Sequence, residues 1–179
     1  MYRLFIALDM PGRIKNDLKN LCGRIPGARW VSDDQLHITL RFIGEVDGSV
    51  FSDIRECLSD AGTSGFSMRL NGVGSFPPGR IPKVLWAGVE DKKPLVRLHN
   101  RIESVLTECG LDREHRKFHP HITLARLNNP PVRRVADFLS SHAMFRTAKF
   151  TISEFHLYSS ILNPKGAVHH LEASYLLMH

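Results

Sequence analysis

With 179 residues, 42% of them hydrophobic, the chain can bury a core without metals or disulfides as braces, and it lies near the upper edge of one domain. Its formal charge of +6, from 24 Lys and Arg against 18 Asp and Glu, is a mild basic bias. Such a bias suits an anionic partner such as a nucleic acid, and equally an ordinary solvated surface. No apolar run reaches the length of a membrane span, and "LFIAL" behind Arg3 is too short for a signal-peptide core. A cytoplasmic protein with no membrane partner is therefore expected. Cys22, Cys57 and Cys109 form no C-x-x-C pair and read as small buried thiols of a reducing compartment.

In chain order, "YRLFIAL" (2–8) is a strand run. Residues 11–25 open on Pro and space Ile14, Leu18, Leu21 and Ile25 as one face of a helix. "LHITLRFIG" (36–44) alternates with a strand's period of two. A helix follows over 47–62, with a Ser or Asp cap and a Gly stop, then strands over 66–76 and 82–90. Residues 94–110 form an amphipathic helix ending at Gly, and "HPHITLARL" (119–127) a further strand. A short helix over 132–141 and strands near 145–160 and 167–178 complete the chain.

The order strand, helix, His strand, helix, strand is thus run through twice, with one strand added at the end. "HITL" stands at 37–40 and again at 121–124, an offset of 121 − 37 = 84. At the same offset Phe66 falls on Phe150, Met68 on Ile152, Val73 on Leu157 and Ser75 on Ser159. "RLFIALD" and "VLWAGVE" correspond at an offset of 81. An internal duplication accounts for all of this. The fold class expected is α+β, with two like halves related by a pseudo-twofold axis and antiparallel sheets around a central cleft. Residues 1–179 make one bilobal domain, the first repeat over about 1–80 and the second over about 81–179.

Within each "HITL" strand, His and Thr share one face, and Ile and Leu share the other. His37 with Thr39, and His121 with Thr123, therefore form two polar pairs, each backed by an apolar pair. If both face the axis, a cleft holds two imidazoles and two hydroxyls. In-line displacement at phosphorus needs a base for the attacking oxygen and an acid on the far side for the leaving one. Imidazole serves either role near neutrality, and Thr hydroxyls can donate to the non-bridging oxygens. The chemistry requires no metal and no cofactor.

Two H-x-T-x motifs about 80 residues apart, flanked as "LHITLRFIGEV", "PKVLWAGV" and "FHPHITLAR", resemble the 2H phosphoesterase superfamily. Within it they look like the RNA 2′,3′-cyclic phosphodiesterase branch, also known as 2′-5′ RNA ligase-like proteins, over essentially the whole chain. The resemblance implies a bilobal α+β fold that hydrolyses an RNA 2′,3′-cyclic phosphate end to a 2′-phosphate, with reversible 2′-5′ ligation as a companion reaction. It implies that His37 donates a proton to the departing O3′ and His121 activates water. The near-symmetry leaves the reverse assignment chemically workable. RNA is the partner implied, and a monomer is expected. The alternatives are an esterase for a small cyclic nucleotide, and an RNA-end binding protein without turnover, against which the two complete motifs argue.

Around this core stand weaker candidates. Arg126 matches a basic residue after the second motif in this branch, yet strict alternation sends it to the face away from His121. Arg41 is in phase with His37 and Thr39 and is the substitute. Arg80 and Lys165 sit in turn-rich loops in matching places and are candidates for the RNA backbone. Phe42, Phe76, Phe118 and Tyr158 are candidates to stack a terminal base. His119 and His121, joined by His115, form a metal alternative, but no Asp, Glu or Cys lies near in supporting spacing. His169 and His170 are given no role.

Overall fold

The computed structural model of the chain describes every residue except Gly79 and His179. β1 (Tyr2–Asp9) buries five successive residues, Leu4 to Leu8, the mark of a strand covered on both faces. α1 (Gly12–Lys19) stops well short of the expected end, because the chain must swing back to the sheet as β2 (Ala28–Trp30). Leu21 and Ile25 stay buried beyond the helix, so their helical spacing misled. The swing passes through Gly27, whose φ is +79° and where a Cβ would run into the Asn128 carbonyl.

β3 (His37–Val46) leads to α2 (Gly48–Cys57), capped by Asp47, whose carboxylate accepts from the Ser49 and Val50 amides at 2.9 and 3.0 Å. The single strand expected over 66–76 is two. β4 (Phe66–Met68) pairs in a separate two-stranded sheet, while β5 (Leu70–Phe76) joins the main one. Then follow β6 (Val84–Val89), α3 (Lys93–Glu108), β7 (Ile122–Leu127), α4 (Val132–Ser141), β8 (Phe150–Ile152), β9 (Glu154–Asn163) and β10 (Gly166–Leu176).

The main sheet runs β10-β9-β1-β3-β7-β6-β5, with β2 against β7, and every pairing in it is antiparallel. One core joins Ile14 and Leu18 of α1, and Leu98 and Ile102 of α3, to the Ile and Leu of both "HITL" runs. The pseudo-twofold is written into the register. Ile38 pairs with Ile122, and Ser67 of β4 with Thr151 of β8, each residue facing its own copy 84 positions on. The last strand of each half crosses to the other: Leu4, Phe5 and Ile6 pair with Ser159, Tyr158 and Leu157. Their counterparts Leu85, Trp86 and Ala87 pair with Ser75, Gly74 and Val73. β10 has no counterpart in the first half.

The cysteines depart from expectation. Cys57, at the end of α2, and Cys109, just after α3, are joined as a disulfide, and Cys22 is exposed. The two helix ends meet, which a sequence separation of 52 does not announce. Among the described residues no helix is long and apolar enough to cross a membrane.

Candidate active site

β3 and β7 share only one paired step, Ile38 with Ile122, and then part. Beyond it the free edge of β7 is taken by β2, with Ala28, Arg29 and Trp30 opposite Leu127, Arg126 and Ala125. The parting strands leave a cavity of about 620 Å³ lined by His37, Thr39, His121 and Thr123 together. Ile38, Leu40, Ile122 and Leu124 lie buried behind them, none more than 2% exposed. Both imidazoles thus face one cavity, an arrangement in which two imidazoles can meet one phosphate.

The imidazoles differ in their surroundings. His121 Nδ1 is 2.6 Å from the His119 carbonyl. A carbonyl only accepts, so Nδ1 carries the hydrogen and Nε2 of the neutral ring is left as the acceptor. Burial pushes His121 below the ordinary histidine range, opposed by that carbonyl. His37 is stacked on Phe5 at 5.2 Å and meets the edge of His169 at 5.6 Å. Burial first, and His169 second, lower its pKa to about 4, against the opposing pull of the Asp34 backbone and the Asp9 carboxylate. Both rings are thus neutral near neutral pH.

A duplicated irregularity decides which further side chains reach the cavity. Against β1, Ile6 and Ala7 pair with Arg41 and Thr39, so Leu40 is an extra residue. Against β6, Leu85 and Trp86 pair with Ala125 and Thr123, so Leu124 is its counterpart. Each bulge inverts the alternation that follows it. Arg126, which strict alternation sends away, lines the cavity, and so does Phe42, its equivalent at 126 − 84. Arg41 moves the other way: it is 9% exposed, lies 3.3 Å from the Glu103 carboxylate and 3.8 Å from that of Glu114, and donates to the Asp112 carbonyl at 2.6 Å. The phase argument that placed it with His37 and Thr39 is corrected by the bulge at Leu40.

The loop candidates fare differently. Arg80 is exposed and does not line the cavity. Lys165 faces an adjoining groove, while Asn163, Pro164 and Gly166 around it line the cavity. Tyr158 stacks on Phe5 at 5.2 Å, beside His37 but behind the cavity lining, and burial and Asp9 push its phenol up to about 12. Phe118 is stacked on His99 at 4.2 Å, away from the site. Among the described residues no three His, Cys, Asp or Glu side chains are grouped to hold a metal ion.

Arg3, Arg29, Gln35 and His169 line the cavity as well, and the sequence reading missed all four. Arg29 and Gln35 lie between recognisable elements, in a three-residue strand and a short turn. His169 is brought in by β10, which the repeat does not contain.

Comparison with known proteins gives one family. Residues 12–163 match the model of the 2′-5′ RNA ligase superfamily. The RNA 2′,3′-cyclic phosphodiesterase of Archaeoglobus fulgidus is 35% identical over 173 residues, 93% of this chain and 96% of that protein. The enzyme of the same name from Thermotoga maritima is 34% identical over 93% of this chain and 91% of its own. Among solved structures, TT0787 of Thermus thermophilus superposes with a TM-score of 0.81 at 26% identity, over 98% of this chain and 97% of that one.

Proposed function

The chain belongs to the 2′-5′ RNA ligase superfamily, and from that premise we propose that it is an RNA 2′,3′-cyclic phosphodiesterase yielding a 2′-phosphomonoester. The observation that carries the reading is the convergence of both His-x-Thr pairs on one cavity around the Ile38–Ile122 step. In the reaction proposed, water attacks phosphorus, the P–O3′ bond breaks, and the ring opens. His121 takes the water's proton at Nε2, the atom left free by the His119 carbonyl. His37 gives a proton to O3′. Thr39 and Thr123 donate to the non-bridging oxygens, with Arg126 as a fixed positive charge beside them.

His37 must be protonated to act, although burial holds its pKa at about 4. The phosphodiester supplies the remedy. Its negative charge favours the imidazolium, so the substrate draws in the proton that the leaving group needs. We take residues 1–179 as one bilobal unit whose repeats meet near residue 80. We also take it to act as a monomer, because both motifs come from one chain, and in the cytoplasm, where an RNA substrate is at hand.

The test is an oligonucleotide ending in a 2′,3′-cyclic phosphate, with the product's phosphate position identified. A 2′-phosphomonoester is expected. A 3′-phosphomonoester would reverse the leaving group, and an unchanged oligonucleotide would remove the activity altogether.

A further inference from the structure

Residues 111–121, which lead from α3 into β7, form neither helix nor strand, yet they end on His121. Two contacts hold the start of this segment. Arg41 donates to the Asp112 carbonyl at 2.6 Å, and the Glu103 carboxylate accepts from the Glu114 amide at 3.0 Å. Near the other end the anchor is a stack. Phe118 lies flat on His99 of α3, with ring centroids 4.2 Å apart and planes 5° from parallel. His99 is in turn fixed to the first motif: its Nδ1 donates to the Leu40 carbonyl at 2.9 Å, and Leu40 is the extra residue of the β3 bulge.

The chain between Phe118 and His121 is stiff. Pro120 has a fixed φ, and a residue before proline is confined to extended backbone, so His119 and the buried Pro120 leave little slack. A displacement of Phe118 is therefore passed on to the His119 carbonyl. That carbonyl accepts the Nδ1 hydrogen of His121 at 2.6 Å and so keeps Nε2 of the neutral ring free to take a proton. His99 does not line the cavity, yet it is tied to both copies of the motif, to Leu40 of the first by a hydrogen bond and to His121 of the second through one ring and one carbonyl. The first motif is approached differently: Asp34, 84 positions before Phe118, has no ring to stack.

We propose that His99 and Phe118 are positioning residues for His121: their stack holds the His119 carbonyl in place, and with it the tautomer and the aim of the ring that takes the proton from water. The inference rests on the phosphodiesterase reading above. No proton passes through His99, whose Nδ1 hydrogen is committed to Leu40. Its part is mechanical, and it acts on one histidine of the pair only.

The experiment uses three variants of the full chain. Phe118→Leu keeps apolar bulk and loses the flat face, His99→Asn keeps a donor for Leu40 and loses the ring, and Phe118→Tyr keeps a ring to stack. Nitrogen NMR of the free protein should show His121 as the Nδ1–H tautomer in the wild type and in Phe118→Tyr, with the Nε2–H form appearing in the other two. With a cyclic-ended oligonucleotide, kcat should fall about ten- to a hundredfold in Phe118→Leu and in His99→Asn, as for a small misplacement of a catalytic group, while KM stays unchanged. Both act through one stack, so the double variant should be little worse than either, and losses that multiply would overturn the proposal. A His121 tautomer indifferent to both substitutions also overturns it, as does a raised KM with kcat unchanged, which would place the pair against substrate. A wild type already in the Nε2–H form overturns it without any variant. If the wild type turns over nothing, the phosphodiesterase reading fails, and the tautomer alone decides the positioning.

Discussion

Ile38 and Ile122 form the single paired step between β3 and β7, and each is the second residue of a His-Ile-Thr-Leu run. The pseudo-twofold axis therefore passes between two buried side chains, both 0% exposed. Since residues on either side of a strand position point to the opposite face, burying this pair turns the flanking histidines and threonines into the cleft. The apolar half of the motif aims the polar half.

His37→Ala and His121→Ala are each expected to lower turnover of a cyclic-ended oligonucleotide by about 10²–10⁴-fold, the range for losing one general acid or base. Because the two rings serve one step, the double variant should be little worse than either single one. Circular dichroism should confirm that each variant is folded. Near-normal rates in a folded single variant would sink the two-histidine mechanism.

The low pKa of His37, about 4 against an ordinary value near 6.5, has a stability consequence with a definite sign. Between those two values the unfolded chain binds a proton that the folded one excludes. The stability linked to His37 is thus fully present above about pH 6.5 and is lost as pH falls through about 4. Urea midpoints of the wild type should drop over that window more steeply than those of His37→Gln. Proton NMR should show the ring titrating well below 6.5, and added inorganic phosphate should raise its midpoint. A midpoint at 6.5 in the free protein would contradict the burial that sets it.

Much of this site is legible in the sequence because it is carried by short-range pattern. Alternation put His37 with Thr39 and His121 with Thr123, and the repeat put the two pairs together. Alternation fails at Leu40 and Leu124, where one extra residue shifts the phase of the residues that follow, and β3 shifts again at Ile43. The reversal leaves only a faint trace, two buried positions in succession, Leu124 and Ala125, the second too small to reach a ligand. His169 was illegible for another reason. Its place depends on β10 folding back along β9, a long-range contact outside the repeat, and the meeting of Cys57 with Cys109 is of the same kind.

Arg41 serves as an internal control on the bulge. Buried against Glu103 and Glu114, it should matter for stability and not for substrate. Arg41→Met strands the Glu103 carboxylate, of which only 4% is exposed, and breaking a buried pair from one side costs about 3–5 kcal/mol. Adding Glu103→Gln should restore a good part of the loss by removing the stranded charge. Urea unfolding measures both steps. A stable single variant with a raised KM would return Arg41 to the cleft.

Phe42 and Arg126 occupy equivalent places after the two bulges, and the asymmetry of the substrate predicts different consequences for removing each. A cyclic-ended RNA has a base at one end of its terminal nucleotide and an anion at the other. Phe42 lines the cavity with 60% of its surface exposed, so it has a free face for a base, and such stacking contributes about 1–3 kcal/mol. Phe42→Ala should raise KM by about tenfold or more and leave the salt dependence of binding unchanged. Arg126→Ala should weaken binding of every substrate alike and lower the slope of log affinity against log salt by about one, the signature of one lost phosphate contact. Measuring KM at several salt concentrations for both variants, with a cyclic mononucleotide and with an oligonucleotide, separates the two roles. If Phe42→Ala changes the salt slope, or Arg126→Ala leaves it untouched, the division of labour across the pseudo-twofold is wrong. The bulges would then be positioning something other than the two ends of one nucleotide.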